Sequence, residues 1–150
     1  NGLYKYIILC KFMFLKKYPL SLLTIALIWY LCFFTPPSTK LDNVIGIDKV
    51  VHFGMYFFLG SVILWEQCRL RIKAKELKIK GFNILGALIL PILMSGLIEI
   101  LQETCTGGRR SGDIFDFLAN SIGALASWFI MRKLISKFYY LTQISQNSQK

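Results

Sequence analysis

The sequence predicts an all-α protein, a polytopic transmembrane bundle of about four helices with both termini in the cytoplasm. Hydrophobic residues make up 55% of the 150-residue chain and charged residues only 17%, whereas soluble domains carry about a quarter charged residues. The apolar residues fall in four runs long enough to cross a bilayer, which takes roughly 17–25 residues per helix. In lipid, only helices and closed barrels satisfy their backbone hydrogen bonds, and four runs are too few for a barrel.

The four runs cover residues 18–35, 49–65, 82–101 and 114–131. Pro36 and Pro37 end the first, because proline lacks the N–H that a helix needs. This run has a basic flank, but it lacks the small-residue cleavage site of a signal peptide, which favours a retained helix. Pro91 predicts a kink in the third run.

The basic residues predict the orientation. Four Lys or Arg residues precede the first run, two lie in the first loop, six in the second, two in the third, and four follow the last run. The positive-inside rule then places both termini and the second loop in the cytoplasm, in a cytoplasmic or inner membrane. Residues 1–17 form a basic segment that lies along the interface or extends the first span, 18–133 the four-helix domain, and 134–150 a polar cytoplasmic tail.

The net charge of +10 does not indicate a nucleic-acid partner. The basic residues flank apolar runs and form no stripe interleaved with exposed aromatic residues. Membrane lipids are the expected partners, and the oligomeric state is left open.

Ionisable and polar residues gather at the outer ends of three runs. They are Asp48, Lys49, His52 and Tyr56 in the second, Glu99, Gln102 and Glu103 in the third, and Arg109, Arg110, Asp113, Asp116 and Asn120 before and within the fourth. Spacings of three and four residues put most of each group on one helix face. Each face is expected to point inward, because a charge facing lipid costs about 2.5–3.5 kcal/mol on insertion scales.

We interpret this gathering as a candidate site. His52, Glu99 and Asp116 are the candidate catalytic residues, as proton carriers. Arg110 is expected to clamp an anion and Asn120 to orient the ligand. The further candidate ligand-binding residues are Asp48, Lys49, Tyr56, Gln102 and Asp113.

Structural roles remain open for the same residues. Asp113 follows Ser111 and Gly112 and has the position of a cap on the fourth helix. His52 could hydrogen-bond a neighbouring helix, and Arg109 could pair with Glu99 or Asp116. No cofactor is expected, since the chain has no P-loop or dinucleotide fingerprint. No metal site is assigned; a divalent ion on His52 and two carboxylates is the weaker variant.

Two blocks resemble the VanZ-like membrane protein family. Residues 48–60, DKVVHFGMYFFLG, resemble its D-K-x-x-H-F-x-x-Y-F-x-L-G block. Glu99 and Gln102 then match an E-x-x-Q pair, and residues 110–123 match R-x-x-D-x-x-D-x-x-A-N-x-x-G. The resemblance covers roughly residues 28–132.

The family is named for a protein linked to low-level teicoplanin resistance. The resemblance therefore implies a site that binds or modifies a cell-envelope lipid or peptidoglycan precursor, or that modulates glycopeptide susceptibility. Whether a reaction is catalysed is left open. The alternative is a non-enzymatic membrane scaffold whose polar cluster is structural.

Overall fold

The computed structural model describes residues 15–34, 46–73, 83–107 and 112–147, and their side chains as far as residue 138. These residues form helices and short connecting turns, with no strand among them. The helices are α1 (Pro19–Phe33), α2 (Ile47–Lys73), α3 (Leu90–Cys105) and α4 (Ile114–Asn147), and a π-helical turn over Leu85–Ile89 leads into α3.

The all-helical membrane-type fold is confirmed, and the helix lengths refine it. Three helices are long and apolar enough to cross a membrane, over Ile47–Ile72, Leu85–Cys105 and Ile114–Phe138. The first predicted run forms a helix of only 15 residues, about 22 Å at the α-helical rise. The count of four spans thus stays a prediction for α1. Helices α2 and α4 extend beyond their predicted apolar runs, because the basic segments that follow these runs are also helical.

Contacts between helix ends define an up-and-down arrangement. Gln102, near the end of α3, donates a hydrogen bond of 2.8 Å to the carbonyl of Cys32, near the end of α1. Glu66, late in α2, binds the first turn of α1. Helices α1 and α3 therefore run in one direction and α2 in the opposite one.

Helix α4 runs parallel to α2 and packs closely against it through glycines. A Cβ atom at Gly123 would overlap the carbonyl of Phe53, and one at Gly60 would overlap the side chain of Ser127. Small residues let two membrane helices approach closely, where van der Waals packing replaces the hydrophobic drive of water. These contacts bring the starts of α2 and α4 side by side.

The radial distribution of polarity is that of a membrane protein. Many large apolar side chains are exposed, including Leu23, Phe58, Leu93, Ile100 and Phe129. The buried set instead includes ten polar or charged residues on the three long helices and at their ends: His52, Glu66, Gln67, Ser95, Glu99, Gln102, Thr106, Asp116, Asn120 and Ser127. Exposed apolar area of this extent indicates contact with lipid, and polar groups then face the interior.

A buried carboxylate from α2 binds the start of α1. Helix α1 begins at Pro19 and has no side-chain cap of its own. The Glu66 carboxylate accepts hydrogen bonds from the N–H of Leu20 at 3.0 Å, the N–H of Ser21 at 3.1 Å and the Ser21 hydroxyl at 2.5 Å. Glu66 thus satisfies N–H groups that a helix start leaves without partners, and its charge complements the helix dipole.

A π-helical turn precedes Pro91, the residue at which the sequence predicts a kink. Proline lacks an N–H, and its ring would clash with the carbonyl four residues earlier. The Leu90 N–H bonds to the Leu85 carbonyl instead, five residues back. The chain enters this turn through Asn83, whose N–H donates to Gln67 Oε1 at 2.9 Å.

Replacing Gly123 with alanine is expected to destabilise the protein by about 1–3 kcal/mol, the usual effect of overpacking, because the new methyl group meets backbone. Gly54→Ala is the matched control, since no atom lies within 4 Å of a Cβ there and alanine favours a helix over glycine by about 1 kcal/mol. Thermal unfolding in detergent measures both. Equal melting temperatures for the two variants would contradict the close α2–α4 contact.

Glu66→Ala is expected to lower stability by about 1–3 kcal/mol, because buried N–H groups of α1 lose their acceptor. Glu66→Gln keeps one acceptor oxygen and should lose less. Thermal unfolding gives the order of the three proteins, and limited proteolysis reports the release of α1. A Glu66→Ala protein with the wild-type melting temperature would refute this role.

Candidate functional site

Most of the predicted site residues meet at one end of the bundle, where α2 and α4 begin and α3 ends. Helix α2 supplies Asp48, Lys49 and His52, and helix α4 supplies Asp116 and Asn120. Glu99 comes from α3, and Asp113 precedes α4. We call these seven residues the polar cluster. The convergence of three helices that the sequence predicted is thus present in the structure.

His52 is held by two buried polar side chains. Its Nδ1 lies 3.2 Å from Asn120 Oδ1, and the Asn120 amide donates to Ser95 Oγ at 2.8 Å. Both partners are at most 1% exposed. The amide nitrogen is used by Ser95, so the amide oxygen faces the ring and can accept a hydrogen bond from His52 Nδ1.

Lys49 pairs with the aspartates among the described residues, and the expected pairing of Arg109 with Glu99 or Asp116 stays a prediction. The Lys49 Nζ lies 2.6 Å from Asp113 Oδ2, 2.6 Å from Asp116 Oδ1 and 3.4 Å from Asp48 Oδ2. Arg109 lies outside the described residues. Lys49 can reach α4 because α2 and α4 start side by side.

The residues that lead into α4 are hydrogen-bonded to the end of α3. Glu99 Oε2 accepts the Asp113 N–H at 3.0 Å, and Glu103 Oε2 accepts the Gly112 N–H at 2.9 Å. A Cβ at Gly112 would lie 2.5 Å from the Glu99 carbonyl, so only glycine lets the chain pass this close. Two carboxylates of α3 therefore position the residues before α4.

Asp113 has the capping role that its position suggested, together with an ion pair. Its Oδ1 accepts the Phe115 N–H at 2.8 Å, the bond of a helix N-cap. The Lys49 ammonium, and then the Phe115 N–H, lower the pKa of the Asp113 carboxyl below the ordinary aspartate value. The carboxylate therefore stays charged and keeps both partners at neutral pH.

Two predicted ligand-binding residues lie outside the polar cluster. Gln102 is buried and binds the carbonyl of Cys32, which makes it a link between α3 and α1. Tyr56 is fully buried one turn beyond His52 and continues the same helix face into the core. Arg110 lies outside the described residues, so its anion-binding role stays a prediction.

Polar contacts that the sequence reasoning did not find lie at both ends of the bundle. Ser95 lies within the third apolar run, where its sequence context indicates no polar role, and it orients Asn120. Glu66 and Gln67 were assigned to the loop after the second run, and they bind the starts of α1 and of the π-helical turn. A charged residue directly after an apolar run was their only signal.

The polar cluster contains both exposed and nearly buried side chains. The side chains of Asp48, Lys49 and Asp113 are 57%, 38% and 35% exposed, whereas those of His52 and Asp116 are each 10% exposed. An imidazole and a carboxylate thus lie beneath more exposed charged side chains. Buried groups of this kind can bind a polar ligand or transfer a proton.

Lys49→Met is expected to lower the melting temperature at neutral pH, because Asp113 and the buried Asp116 lose their cation. Asp113 has a lowered pKa when folded, so this contribution is present above the ordinary aspartate pKa and is lost as the pH falls through the lowered value. The melting-temperature difference from wild type should therefore stay constant from pH 7 down to the ordinary aspartate pKa of about 3.9 and shrink at lower pH. A difference that does not shrink at lower pH would contradict the pairing.

Comparison with known proteins assigns the family. The model of the VanZ/LLP1 family matches residues 3–136, a range that includes every helix start and the whole polar cluster. No curated protein matches the chain, and no solved structure does. The resemblance noted in the two sequence blocks thus extends over most of the molecule: the chain belongs to the VanZ/LLP1 family.

Proposed function

We propose that the polar cluster is a binding site, on the outer side of the cytoplasmic membrane, for the polar head of a cell-envelope lipid or lipid-linked peptidoglycan precursor. The observation that carries the proposal is His52. It is buried and oriented by Asn120, and its Nε2 lies 3.6 Å from a carboxylate oxygen of both Asp48 and Asp116. These distances are too long for hydrogen bonds, so the ring nitrogen faces space between the two carboxylates.

Lipid contact around the cluster supports an amphiphilic ligand. Val50, Ile100, Ile114 and Phe115, next in sequence to its residues, are each at least 62% exposed. A molecule with an apolar chain could pack along these side chains while its polar head contacts the polar cluster. Lys49 would contact an anionic group there, and Asp116 or His52 would accept a proton.

The outer location is supported by the opposite end of the bundle. There Arg69 stacks over the Trp65 ring at 5.5 Å and Arg132 over the Trp128 ring at 4.8 Å. Tryptophan is typical of both membrane interfaces, and the basic residues Arg69, Arg71 and Lys73 at the end of α2 fit the positive-inside pattern there. On this basis we infer an outer location for the polar cluster.

A structural scaffold is the second candidate, and the internal pairing of the cluster favours it. The 2.6 Å ion pairs of Lys49 and the 3.0 Å bond to Glu99 connect the ends of three helices. In this case loss of function in variants should follow loss of stability.

The two candidates differ in the behaviour of His52→Ala and Asp116→Asn. We expect wild type to raise the teicoplanin tolerance of a susceptible host, and both variants to lose this effect at normal expression and with a melting temperature near wild type. Thr104→Ala is the control, because Thr104 is an exposed residue at the same end that bonds within its own helix. Its tolerance should equal wild type.

Native mass spectrometry tests ligand binding directly, with lipid II and phosphatidylglycerol as probes. We expect wild type and Thr104→Ala to retain lipid II, and His52→Ala to lose it. The site would be refuted if His52→Ala retained lipid II, and likewise phosphatidylglycerol, to the same extent as wild type. Function that falls only in proportion to melting temperature would establish the scaffold.

A further inference from the structure

The side chains of Asp48, His52 and Asp116 surround a common point. One donor atom from each lies within 4.8 Å of the others, and His52 Nε2 is 3.6 Å from Asp48 Oδ1 and from Asp116 Oδ2. Donor atoms bound to one Zn²⁺ at roughly 2.0–2.2 Å lie about 3.0–3.5 Å apart. A small rotation of the half-exposed Asp48 would complete such a set.

The groups behind His52 are those of a metal-binding histidine. A histidine ligand usually donates its other ring N–H to an oxygen, which fixes the tautomer and directs the free nitrogen to the metal. Here Asn120 Oδ1 lies 3.2 Å from Nδ1 and can accept such a bond, and Ser95 fixes the Asn120 amide. The other ring nitrogen, Nε2, faces the two carboxylates.

Lys49 does not occupy this point. Its ammonium binds Oδ2 of Asp48 and Oδ1 of Asp116, whereas Oδ1 of Asp48 and Oδ2 of Asp116 face His52. Each carboxylate thus offers one oxygen to the lysine and the other to the histidine side. An ion and the lysine can be bound at the same time.

Glu99 provides a second observation, a buried acceptor that no described residue satisfies. This residue is 8% exposed, and its Oε1 has no hydrogen-bond partner among the described residues. Its carboxylate interacts electrostatically with His52, Asp116 and Asp113. A buried carboxylate oxygen without a donor is unfavourable, and a nearby divalent cation would offset it.

We propose that Asp48, His52 and Asp116 bind a divalent transition-metal ion, with Zn²⁺ as the best match to one imidazole and two carboxylates. The three ligands leave at least one coordination position open for water or for an oxygen of the ligand. The ion would add positive charge to a cluster that holds four carboxyl groups and one lysine. The inference specifies the chemistry of the proposed binding site and rests on that site being functional.

The test uses the full-length protein in detergent, freed of metal with a chelator and titrated with Zn²⁺ alone. Asp48→Asn and Asp113→Asn form a matched pair, because both aspartates are at least one-third exposed and both contact Lys49, yet only Asp48 belongs to the triad. Wild type and Asp113→Asn are expected to bind one Zn²⁺ by calorimetry with affinities within about threefold. Asp48→Asn and His52→Ala should weaken Zn²⁺ binding by at least about tenfold. Asn120→Ala should weaken it by about 10–100-fold, the usual effect of losing an outer-shell partner.

Absence of saturable Zn²⁺ binding by a wild-type protein that melts normally would overturn the inference, as would equal weakening in Asp48→Asn and Asp113→Asn. Co²⁺ substitution provides a second readout, since its visible absorption should change when His52 is replaced. No lipid is present in these measurements. Retention of lipid II by a wild type that binds no Zn²⁺ would therefore refute the metal site and leave the proposed lipid site standing.

Discussion

The close contact between α2 and α4 is the constraint on which the rest of the structure depends. Charged side chains among apolar helices must find partners within the protein, because lipid offers none. Lys49 and His52 lie on α2, whereas Asp116 and Asn120 lie on α4. The contacts of 2.6 Å and 3.2 Å between them require nearly touching backbones. Gly123 against Phe53, and Gly60 against Ser127, allow this approach.

The two ends of the bundle use buried carboxylates differently. At one end Glu66 accepts three hydrogen bonds from α1, so its acceptor capacity is used and its role is structural. At the other end Asp48 and Asp116 direct an oxygen toward His52 without a hydrogen bond, and Glu99 Oε1 has no donor among the described residues. Acceptors that stay unused in a low-dielectric setting favour a ligand or an ion as the missing partner.

Much of the polar cluster could be predicted because helical periodicity is a local property. Asp48 and His52 are four residues apart, as are Asp116 and Asn120, so each pair shares a helix face wherever the helices pack. Because a charged side chain that faces lipid is unfavourable, these helix faces turn toward the interior and meet there. The partner of the aspartates could not be predicted in this way. The sequence suggested only Arg109 as a partner, whereas Lys49 forms the ion pairs seen among the described residues, because it lies at the start of the helix that packs against α4.

The functions of Gln102 and Glu66 show the same limit. Both are polar residues near the ends of apolar runs, and sequence reasoning made the first a ligand-binding residue and the second part of a loop. In the structure Gln102 donates a hydrogen bond to the Cys32 carbonyl, and Glu66 accepts hydrogen bonds from the start of α1. Their partners are 70 and 45–46 residues away, and no periodicity spans that separation.

The sequence by itself determined the helical class, the apolar runs, the helix faces that carry charge and the family. Each follows from local spacing or composition, which the chain carries before it folds. Only the tertiary structure decided helix ends, the π-helical turn before Pro91, the pairing of Lys49 and the space between His52 and its two carboxylates. Those depend on which backbones come close, and that is set by glycines and buried polar groups on different helices acting together.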